Sequence, residues 1–300
     1  MDDRAHPIVA IVGAGEMGAA VGRRLRLSGA RVLISLKGRS PASEGRVRQA
    51  ELEVIDDDAA LIRGADFVLS IVPPGAAAEV AERFRGALGA AAKKPIFADC
   101  NAISPATARR IGDLLAGCGC RYVDAGIIGV PPPEDLNRSG PRFYASGGHA
   151  GAFAQLTRFG LDIAVLDGPI GAASGLKLSY AGLTKGITAL GAAMIAAAAR
   201  DGLADVLRSE LARSQPQILA RLARQIPAMY PKAHRWVAEM KEIAEFLDGD
   251  DRGAMIYQGA ARLYERIAAQ NAPHEQSGAI DALAEFCAAA IGTPNSDRRG

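Results

Sequence analysis

The chain has little excess charge, little cysteine and little histidine, and each shortage excludes a class of protein. Its net charge is only +2, and its 35 Lys and Arg residues form no dense stripe flanked by aromatic residues. Nucleic-acid binding proteins concentrate positive charge on one face, so this class is disfavoured. Among the four cysteines, Cys118 and Cys120 lie too close together for a zinc knuckle or a thioredoxin motif. His234 and His274 stand apart from other ligand types, and we therefore expect reduced thiols and no metal site.

The chain also lacks the marks of export or membrane insertion. Residues Met1 to Pro7 contain two Asp and no basic start of a secretory signal. The candidate membrane span, Gly186 to Ala199, has about 14 uncharged residues, whereas a bilayer requires about 20. We predict a cytoplasmic protein without membrane association, in which this stretch is a buried helix.

The pattern of apolar residues predicts two domains, which is the number that 300 residues comfortably form. From Ile8 to Asp167, short apolar runs alternate with amphipathic stretches, as in a parallel sheet covered by helices. After Gly171 every periodic segment has helical spacing. The sequence therefore predicts an α/β Rossmann domain with a doubly wound, mainly parallel sheet over residues 1–170. An all-α substrate and dimerisation domain follows over residues 171–300, joined by a long interdomain helix.

The boundaries of the individual elements follow from the same periodicity and from Gly and Pro breaks. The predicted strands are Ile8–Val12, Val32–Ser35, Glu53–Ile55, Phe67–Val72, Ile96–Ala98, Tyr122–Asp124, Phe143–Ala145 and Ile163–Leu166. The predicted helices of the first domain are Glu16–Ser28, Asp57–Arg63, Ala76–Leu88, Ser104–Ala116 and Ala150–Phe159. Those of the second are Ala173–Arg200, Leu203–Arg213, Gln217–Gln225, Lys232–Leu247, Gly253–Gln270 and Gly278–Ile291. The predicted breaks there are Pro216, Pro227, Pro231, Gly249 and Pro273.

A glycine-rich turn follows the first predicted strand and opens the first predicted helix. Its sequence is Gly13-Ala14-Gly15-Glu16-Met17-Gly18. Gly13 permits the tight turn, Gly15 lets a pyrophosphate approach the backbone, and Gly18 lets the helix pack closely on the strand. The helix N-terminus then offers N–H groups to the phosphates. The alternative is a purely structural glycine turn, but the strand and helix around it favour a dinucleotide site.

The loop after the second strand indicates which dinucleotide binds. NAD sites usually place Asp or Glu there, but this chain has Lys37, Arg39 and Ser40. A guanidinium grips a phosphate with two hydrogen bonds, so the loop favours the 2′-phosphate of NADP over NAD. The alternative is an ordinary basic surface loop. Val72 and Pro73, after the fourth strand, are further predicted cofactor contacts.

Four segments resemble the β-hydroxyacid dehydrogenases, relatives of 6-phosphogluconate dehydrogenase, and the resemblance extends over nearly the whole chain. They are the glycine-rich turn, Asp99–Pro105, Asp124–Gly129 and Gly171–Lys177. The block Ala173–Gly186 is similar to a poorly characterised branch with its own C-terminal helical domain. The resemblance implies a Rossmann domain, a long interdomain helix and a helical domain that commonly dimerises, so we expect a homodimer.

Lys177 is the predicted catalytic residue. It falls near the start of the long helix at the domain junction, where a cleft would place substrate beside the nicotinamide. Burial disfavours the charged form of an amine and so favours proton transfer. The resemblance implies the same role for this lysine. The alternative is a helix lysine in solvent.

The chain departs from the family pattern at two positions near the predicted site. The Asn that usually stands four residues after the lysine is Ala181 here. Tyr180 and Thr184 share a helix face with Lys177, and either supplies the missing polar contact or only packs. The usual Ser of the substrate clamp is Ile128, while Gly129 survives as a backbone donor.

Three further polar residues are candidates that also have simpler readings. Asn101 stands where the family has Ser-Thr, and it either binds substrate or cofactor or lies in a plain loop that leads to the N-cap Ser104. Lys241 resembles a family lysine that reaches the active site, but it borders an apolar stripe where charges are usually solvated. Lys185 is a weaker candidate.

These residues predict an NADP-dependent oxidoreductase acting on a small hydroxyl or carbonyl compound, in which the cofactor carries the hydride and Lys177 moves the proton. A β-hydroxyacid-like substrate is the interpretation that the resemblance implies. An imine reductase is one alternative, although that group often lacks the lysine. A non-catalytic NADP(H) sensor is the other, which would keep the glycine turn and Arg39 but need no proton donor.

Overall fold

The computed structural model describes residues 6–247, 251–270 and 278–291. The contacts between residues divide the chain into two compact units, Met1–Leu178 and Ser179–Gly300.

The first unit is built on one sheet of eight strands in the order β3-β2-β1-β4-β5-β6-β7-β8. All neighbouring strands are parallel except β6 and β7, which are antiparallel. The mainly parallel, doubly wound sheet predicted from the sequence is confirmed. The strands are β1 Ile8–Val12, β2 Arg31–Ile34, β3 Glu53–Val54, β4 Phe67–Ser70, β5 Ile96–Asp99, β6 Arg121–Ile128, β7 Arg142–Ser146 and β8 Asp162–Val165.

Helices cover both faces of this sheet, which is why most residues of its central strands are apolar and buried. Val9 and Ile11 of β1 belong to one core cluster, and Ala10 and Val12 belong to the other. Each fully buried side chain of Ile11's size contributes about 1.5–3 kcal/mol. The helices are α1 Glu16–Leu27, α2 Pro41–Gln49, α3 Asp58–Arg63, α4 Ala77–Ala90, α5 Pro105–Ala116 and α6 Ala150–Phe153, and 3-10 turns lie at Pro74–Ala76 and Ala154–Phe159.

Helix α2 is absent from the sequence prediction. It buries only Ser43 and Val47, so it lacks the apolar stripe on which periodicity depends. Its start signals were nevertheless present, since Ser40 is its N-cap and Pro41 its first residue.

The second unit contains helices in every segment that the structure describes. Helix α7, Ala172–Arg200, begins in the first unit and continues into the second. Pro216 opens α9, and Pro227 lies inside that helix, so the predicted break at Pro227 is wrong. Gly249 and Pro273 lie outside the described residues. The remaining helices are α8 Ala204–Ser214, α9 Pro216–Met229, α10 Ala233–Phe246, α11 Asp251–Gln270 and α12 Gly278–Ile291, with a 3-10 turn at Tyr230–Lys232.

Helix α7 is longer than the uncharged stretch Gly186–Ala199 that it contains. At 29 residues it is long and apolar enough, by length and composition alone, to cross a membrane. The sequence argument from shortness therefore applies to Gly186–Ala199 but not to the helix that contains it. Buried Ala181, Ala189, Ala192 and Ile195 mark one face of the helix as part of a protein core.

Candidate functional site

The glycine-rich turn has the geometry that its three glycines predict. Gly13 has φ +130°, and a Cβ on it would lie 2.0 Å from the carbonyl oxygen of Ile71. A Cβ on Gly18 would lie 1.9 Å from the carbonyl oxygen of Gly13. Gly15 is exposed, and a Cβ there would meet no atom within 4 Å. At Gly13 and Gly18 the surrounding backbone leaves no room for a side chain, whereas the space around Gly15, the N-cap of α1, is open. This arrangement fits the binding of a pyrophosphate at the start of α1.

The predicted 2′-phosphate residues lie between β2 and α2. Lys37 is exposed, Arg39 is partly exposed, and Gly38 between them has φ +71°. The Arg39 N–H donates to the carbonyl of Leu36 at 2.9 Å, which closes the turn. Ser40 caps α2 by accepting a hydrogen bond from the Ser43 N–H. Two cationic side chains thus stand in an open loop, whereas the Ser40 hydroxyl already has a local structural role.

Arg46, on α2, joins this region and was missed by the sequence analysis. Its Nε donates to the carbonyl of Ala14 at 3.3 Å, and its Nη2 donates to the Ser43 hydroxyl at 3.1 Å. The guanidinium therefore lies directly between the glycine turn and α2. The signal that would have found it is the N-cap at Ser40, because a helix starting there turns Arg46 back toward β1.

A row of buried polar side chains crosses the sheet at the level where β1 ends. The strand register aligns Val12 with Ser70, Ser70 with Asp99, Asp99 with Asp124, and Asp124 with Ser146. All four polar residues of this row are at most 1% exposed. Buried carboxylates need hydrogen-bond partners, so the partners of Asp99 and Asp124 show which backbone segments these residues hold in place.

Asn101 belongs to this network and is buried. Its Oδ1 accepts from the Val72 N–H at 2.7 Å, and its Nδ2 donates to Ser70 Oγ and to Asp99 Oδ1. Asp99 also accepts from the Asn101 N–H at 3.0 Å. Asn101 thus fixes the backbone at Val72, next to the predicted cofactor contact Pro73. Its predicted contact with substrate or cofactor remains a prediction.

Lys177 lies where α7 packs on β6. A Cβ on Gly126 would lie 2.8 Å from Lys177 Cβ and 3.2 Å from the carbonyl oxygen of Ala173. Only glycine permits this approach of helix to strand. Gly126 follows the register row toward the carboxyl end of β6, and the glycine-rich turn follows the carboxyl end of β1. The Lys177 side chain, which is partly exposed, therefore stands at the same edge of the sheet as the turn.

Two titratable groups near Asp99 and Asp124 are neutral at physiological pH. Burial raises the pKa of the Tyr122 hydroxyl well above its usual value, and the nearby Asp99 and Asp124 raise it further. Burial and the same two carboxylates raise the pKa of the Cys100 thiol.

Gly129 directly follows β6, the strand that carries Gly126, and has φ +133°. The loop after it, residues 130–141, is fastened to α1. Arg24 donates to the carbonyls of Leu136 and Arg138 at 3.0 and 2.6 Å, and Arg23 forms an ion pair with Glu134. Ile128 offers no hydroxyl, and the substrate contact predicted for the Gly129 backbone stays a prediction.

The remaining predicted site residues belong to the second unit. Tyr180 is 49% exposed, and Thr184 donates its hydroxyl to the Tyr180 carbonyl at 2.9 Å. Lys241 is exposed and pairs with Glu265 of α11 at 3.0 Å. Lys185 pairs with the buried Glu239 and lies 5.0 Å from the centre of the Trp236 ring. Among the described residues, no group of three or more His, Cys, Asp and Glu could hold a metal ion.

A doubly wound sheet with a phosphate-binding turn after its first strand defines a dinucleotide-binding domain, and an amine at the same edge suits an oxidoreductase. Comparison with known families assigns residues 8–164 to the NAD binding domain of 6-phosphogluconate dehydrogenase. The chain belongs to this family of NAD(P)-binding oxidoreductases, and its structural neighbours include 3-hydroxyacid dehydrogenases. Residues 198–267 match a domain of unknown function, DUF1932.

Several known proteins are similar to this chain. A conserved protein of unknown function, whose structure is described as similar to 3-hydroxyacid dehydrogenases, is 30% identical with a TM-score of 0.63, and the match covers 88% of this chain and 99% of that one. The 3-hydroxyisobutyrate dehydrogenase of Pseudomonas aeruginosa is 30% identical over 49% of this chain and 48% of its own length. The Mycobacterium tuberculosis 3-hydroxyisobutyrate dehydrogenase, solved with L-serine, shares the fold with a TM-score of 0.71 at 20% identity, over 93% of this chain and 99% of that one. An imine reductase from Myxococcus stipitatus also shares the fold, with a TM-score of 0.55 at 17% identity over 94% of this chain and 99% of its own.

Proposed function

We propose that the protein is an NADP-dependent oxidoreductase that transfers hydride between nicotinamide and a small hydroxyl or carbonyl compound, with Lys177 as proton donor and acceptor. The observation that carries this proposal is the close packing of Lys177 on Gly126, at the sheet edge that also bears the open Gly15 turn. The cofactor must reach the reacting carbon of the substrate to exchange hydride, and the proton donor must reach its oxygen. This edge of the sheet presents a site for each.

The division of labour follows from the chemistry of alcohol oxidation. The bound cofactor supplies the hydride acceptor or donor. In oxidation the neutral Lys177 amine accepts the proton of the substrate hydroxyl, and in reduction the ammonium returns it to the forming hydroxyl. The Gly129 backbone is the proposed partner of the substrate's polar group, with Tyr180, Thr184 and Lys241 as further candidates.

The preference for NADP is supported by charge. Lys37 and Arg39 stand in the open loop after β2, and Arg46 adds a guanidinium that touches the backbone of the glycine turn. No acid stands among Lys37, Gly38, Arg39 and Ser40 to bind the 2′-hydroxyl of NAD.

The substrate class is proposed more broadly than that of the relatives. Ile128 removes the hydroxyl that in the family pattern helps to hold a carboxylate, so a β-hydroxyacid-like compound is the leading candidate but an imine is a second. The shared fold with an imine reductase and Ala181 in place of Asn favour testing both.

A cofactor-resolved screen tests this function. NADPH and NADH oxidation are followed by absorbance against panels of β-keto acids, semialdehydes, ketones and imines. Turnover with at least one panel member is expected, and a Lys177→Ala variant should lose it. Turnover of imines but not carbonyls would replace the alcohol chemistry, and binding of NADPH without turnover of any panel would favour the sensor.

Arg39→Ala tests cofactor choice. We expect it to weaken NADPH binding by about 1.5–3 kcal/mol, the strength of a charged hydrogen bond, and to leave NADH binding unchanged. Nucleotide fluorescence titration measures both, and Arg48→Ala is the control because Arg48 is an exposed arginine of α2. Equal affinity of the wild type for NADPH and NADH would contradict the NADP assignment.

We also propose that the protein is a cytoplasmic homodimer. Exposed apolar residues follow α7 at alternating steps of three and four, the spacing of a helix–helix seam. They are Tyr180, Leu183, Ile187, Leu190 and Met194, at 37–66% exposure. Since the opposite face is already covered by the chain's own residues, a second copy is the proposed occupant. Light scattering should give twice the 31.2 kDa chain mass.

A further inference from the structure

We propose that Asp124 is a positioning residue that sets the place of Lys177 by holding the first turn of α7. The proposal rests on the catalytic role of Lys177 given above. It assigns a function to a buried carboxylate in the middle of β6 that cannot reach the substrate, because its exposure is 0%.

Asp124 receives an unusual number of hydrogen bonds from the start of one helix. Its Oδ2 accepts from the N–H groups of Gly171, Ala173 and Ser174 at 2.8, 3.1 and 3.1 Å. Its Oδ1 accepts from the Ser174 hydroxyl at 2.5 Å. Ser146 donates its hydroxyl to Oδ2 at 2.9 Å, which orients the carboxylate from the neighbouring strand.

These bonds fix α7 because the first N–H groups of a helix have no partner inside it. A carboxylate that accepts several of them determines how deep the helix sits and how it is rotated about its axis. The positive end of the helix dipole adds attraction to the negative charge. Lys177 stands three residues after Ser174, less than one turn away, so little flexibility separates the anchor from the amine.

Gly126 also contributes to the position of Lys177. Alternate residues of a strand point to the same face, so Asp124 and Gly126 both face α7. Asp124 holds the first turn, and the missing side chain of Gly126 lets the Lys177 Cβ settle against the strand. One strand thus both anchors the helix and shapes the surface on which the lysine rests.

The decisive variant is Asp124→Asn. It keeps the shape and can keep most hydrogen bonds, but it removes the charge that faces the helix N-terminus. Ser174→Ala, which removes one hydroxyl donor and leaves the carboxylate in place, is the milder second variant. Asp66→Asn is the matched control, because Asp66 also accepts a backbone N–H, that of Ile8 at 2.9 Å, but lies at the opposite edge of the sheet.

Three measurements follow Lys177 itself. Hydrogen exchange reports the amides of residues 171–178, acylation by an activated ester followed by mass spectrometry reports the reactivity of the Lys177 amine relative to Lys37, and steady-state kinetics uses the substrate found in the screen. For Asp124→Asn we expect faster exchange, a changed Lys177 acylation rate and a kcat lower by about 10-fold, with NADPH affinity unchanged, since misplacement of a reacting group by about 1 Å can cost up to 10²-fold. Ser174→Ala should show the same changes at about 3-fold.

The outcomes separate this proposal from the proposed function. If Asp124→Asn and Ser174→Ala speed exchange but leave acylation of Lys177 and kcat at the wild-type level, Asp124 is merely structural and the proposal is wrong. If Asp124→Asn does not fold, Ser174→Ala decides by the same criteria. If Lys177→Ala retains wild-type turnover, the catalytic role fails, while the acylation experiment still shows whether Asp124 positions the lysine.

Discussion

The two units bury their charged groups in different ways. In the first unit, Asp99 and Asp124 are held mainly by backbone N–H groups and short polar side chains. In the second, Glu239 is held by the long side chain of Lys185, which also packs on Trp236. Backbone-bound carboxylates fix loops and a helix end, which is what a reactive site needs. A pair of side chains joins helices and leaves their ends unaffected.

The largest expected difference concerns two lysines of the same helix, Lys177 in the first unit and Lys185 in the second. Lys177→Ala should lower kcat by ~10²–10⁴-fold, the usual contribution of general acid–base catalysis, and leave stability nearly unchanged. Lys185→Ala should instead cost about 3–5 kcal/mol of unfolding free energy, because it removes the lysine charge that is paired with the buried Glu239. Urea unfolding and steady-state kinetics on both variants make the comparison.

The double replacement Lys185→Met with Glu239→Leu is the control for the buried pair. It should be more stable than Lys185→Ala, since no uncompensated charge remains. If Lys185→Ala abolished turnover while retaining wild-type stability, the roles of the two lysines would have to be exchanged.

Two glycines, Gly18 in the first unit and Gly191 in the second, extend the comparison of the two units, with expected effects smaller than those of the lysine variants. A Cβ on Gly18 meets backbone, at 1.9 Å from the Gly13 carbonyl oxygen, whereas a Cβ on Gly191 meets the flexible end of Leu222 at 2.3 Å. Gly18→Ala should therefore destabilise by more than about 3 kcal/mol and abolish NADPH binding. Gly191→Ala should cost about 1–2 kcal/mol, because the overpacking is partly offset by the better helix propensity of alanine.

Thermal unfolding and nucleotide titration of the two alanine variants measure these effects. Gly15→Ala is the control, since its Cβ would meet nothing in the protein but would face the proposed pyrophosphate. It should fold normally and bind NADPH more weakly. Normal NADPH binding by Gly18→Ala would show that the turn does not serve as the phosphate site.

The smallest effect concerns two buried thiols, one in each unit. Burial raises the pKa of Cys120 and of Cys287 from 9.0 to about 11. The folded state keeps these thiols neutral, so their contribution to stability is present below pH 9 and is lost as pH rises through about 11. We expect each to account for on the order of 1–3 kcal/mol, since one pKa unit corresponds to about 1.4 kcal/mol.

Urea unfolding at pH 8 and pH 11 checks this, with Cys120→Ala and Cys287→Ala losing less stability than the wild type between the two. Added salt should change the pH dependence of stability that is due to Cys120 more than that due to Cys287. Neighbouring charges from Lys94 and Arg121 act on Cys120, whereas burial alone acts on Cys287. An unchanged pH dependence in both variants would contradict the assignment.

The sequence predicted the parts of the fold that depend on local patterns. The central strands are predictable because most of their residues are apolar and buried, and the glycine-rich turn is predictable because its glycine spacing stands between a strand and a helix. The row from Ser70 to Ser146 could not be predicted, because it depends on the register of four strands. Asp124 appeared in the family motif, but its bonds to residues 171–174 join positions far apart in sequence.

The sequence names the candidate site residues but not their partners in the fold. Asn101 is predicted to contact substrate or cofactor, which stays a prediction, and its side-chain amide forms hydrogen bonds with Val72, Ser70 and Asp99. Arg46 was missed together with α2, although Ser40 and Pro41 are start signals for that helix. Both cases follow from tertiary contacts, which decide the partner of a polar side chain after its position in sequence is known.

The bonds from Arg24 to the loop after Gly129 have a consequence for selectivity. A free flap discriminates between molecules by closing over the correct one, and this step slows association. The loop of residues 130–141 is instead fastened to α1, the helix that opens with the phosphate-binding turn. We therefore expect the loop to present the same surface with and without a bound molecule. If substrate binds beside it, discrimination there should depend on a preformed shape, as in lock-and-key recognition, without rearrangement of the backbone.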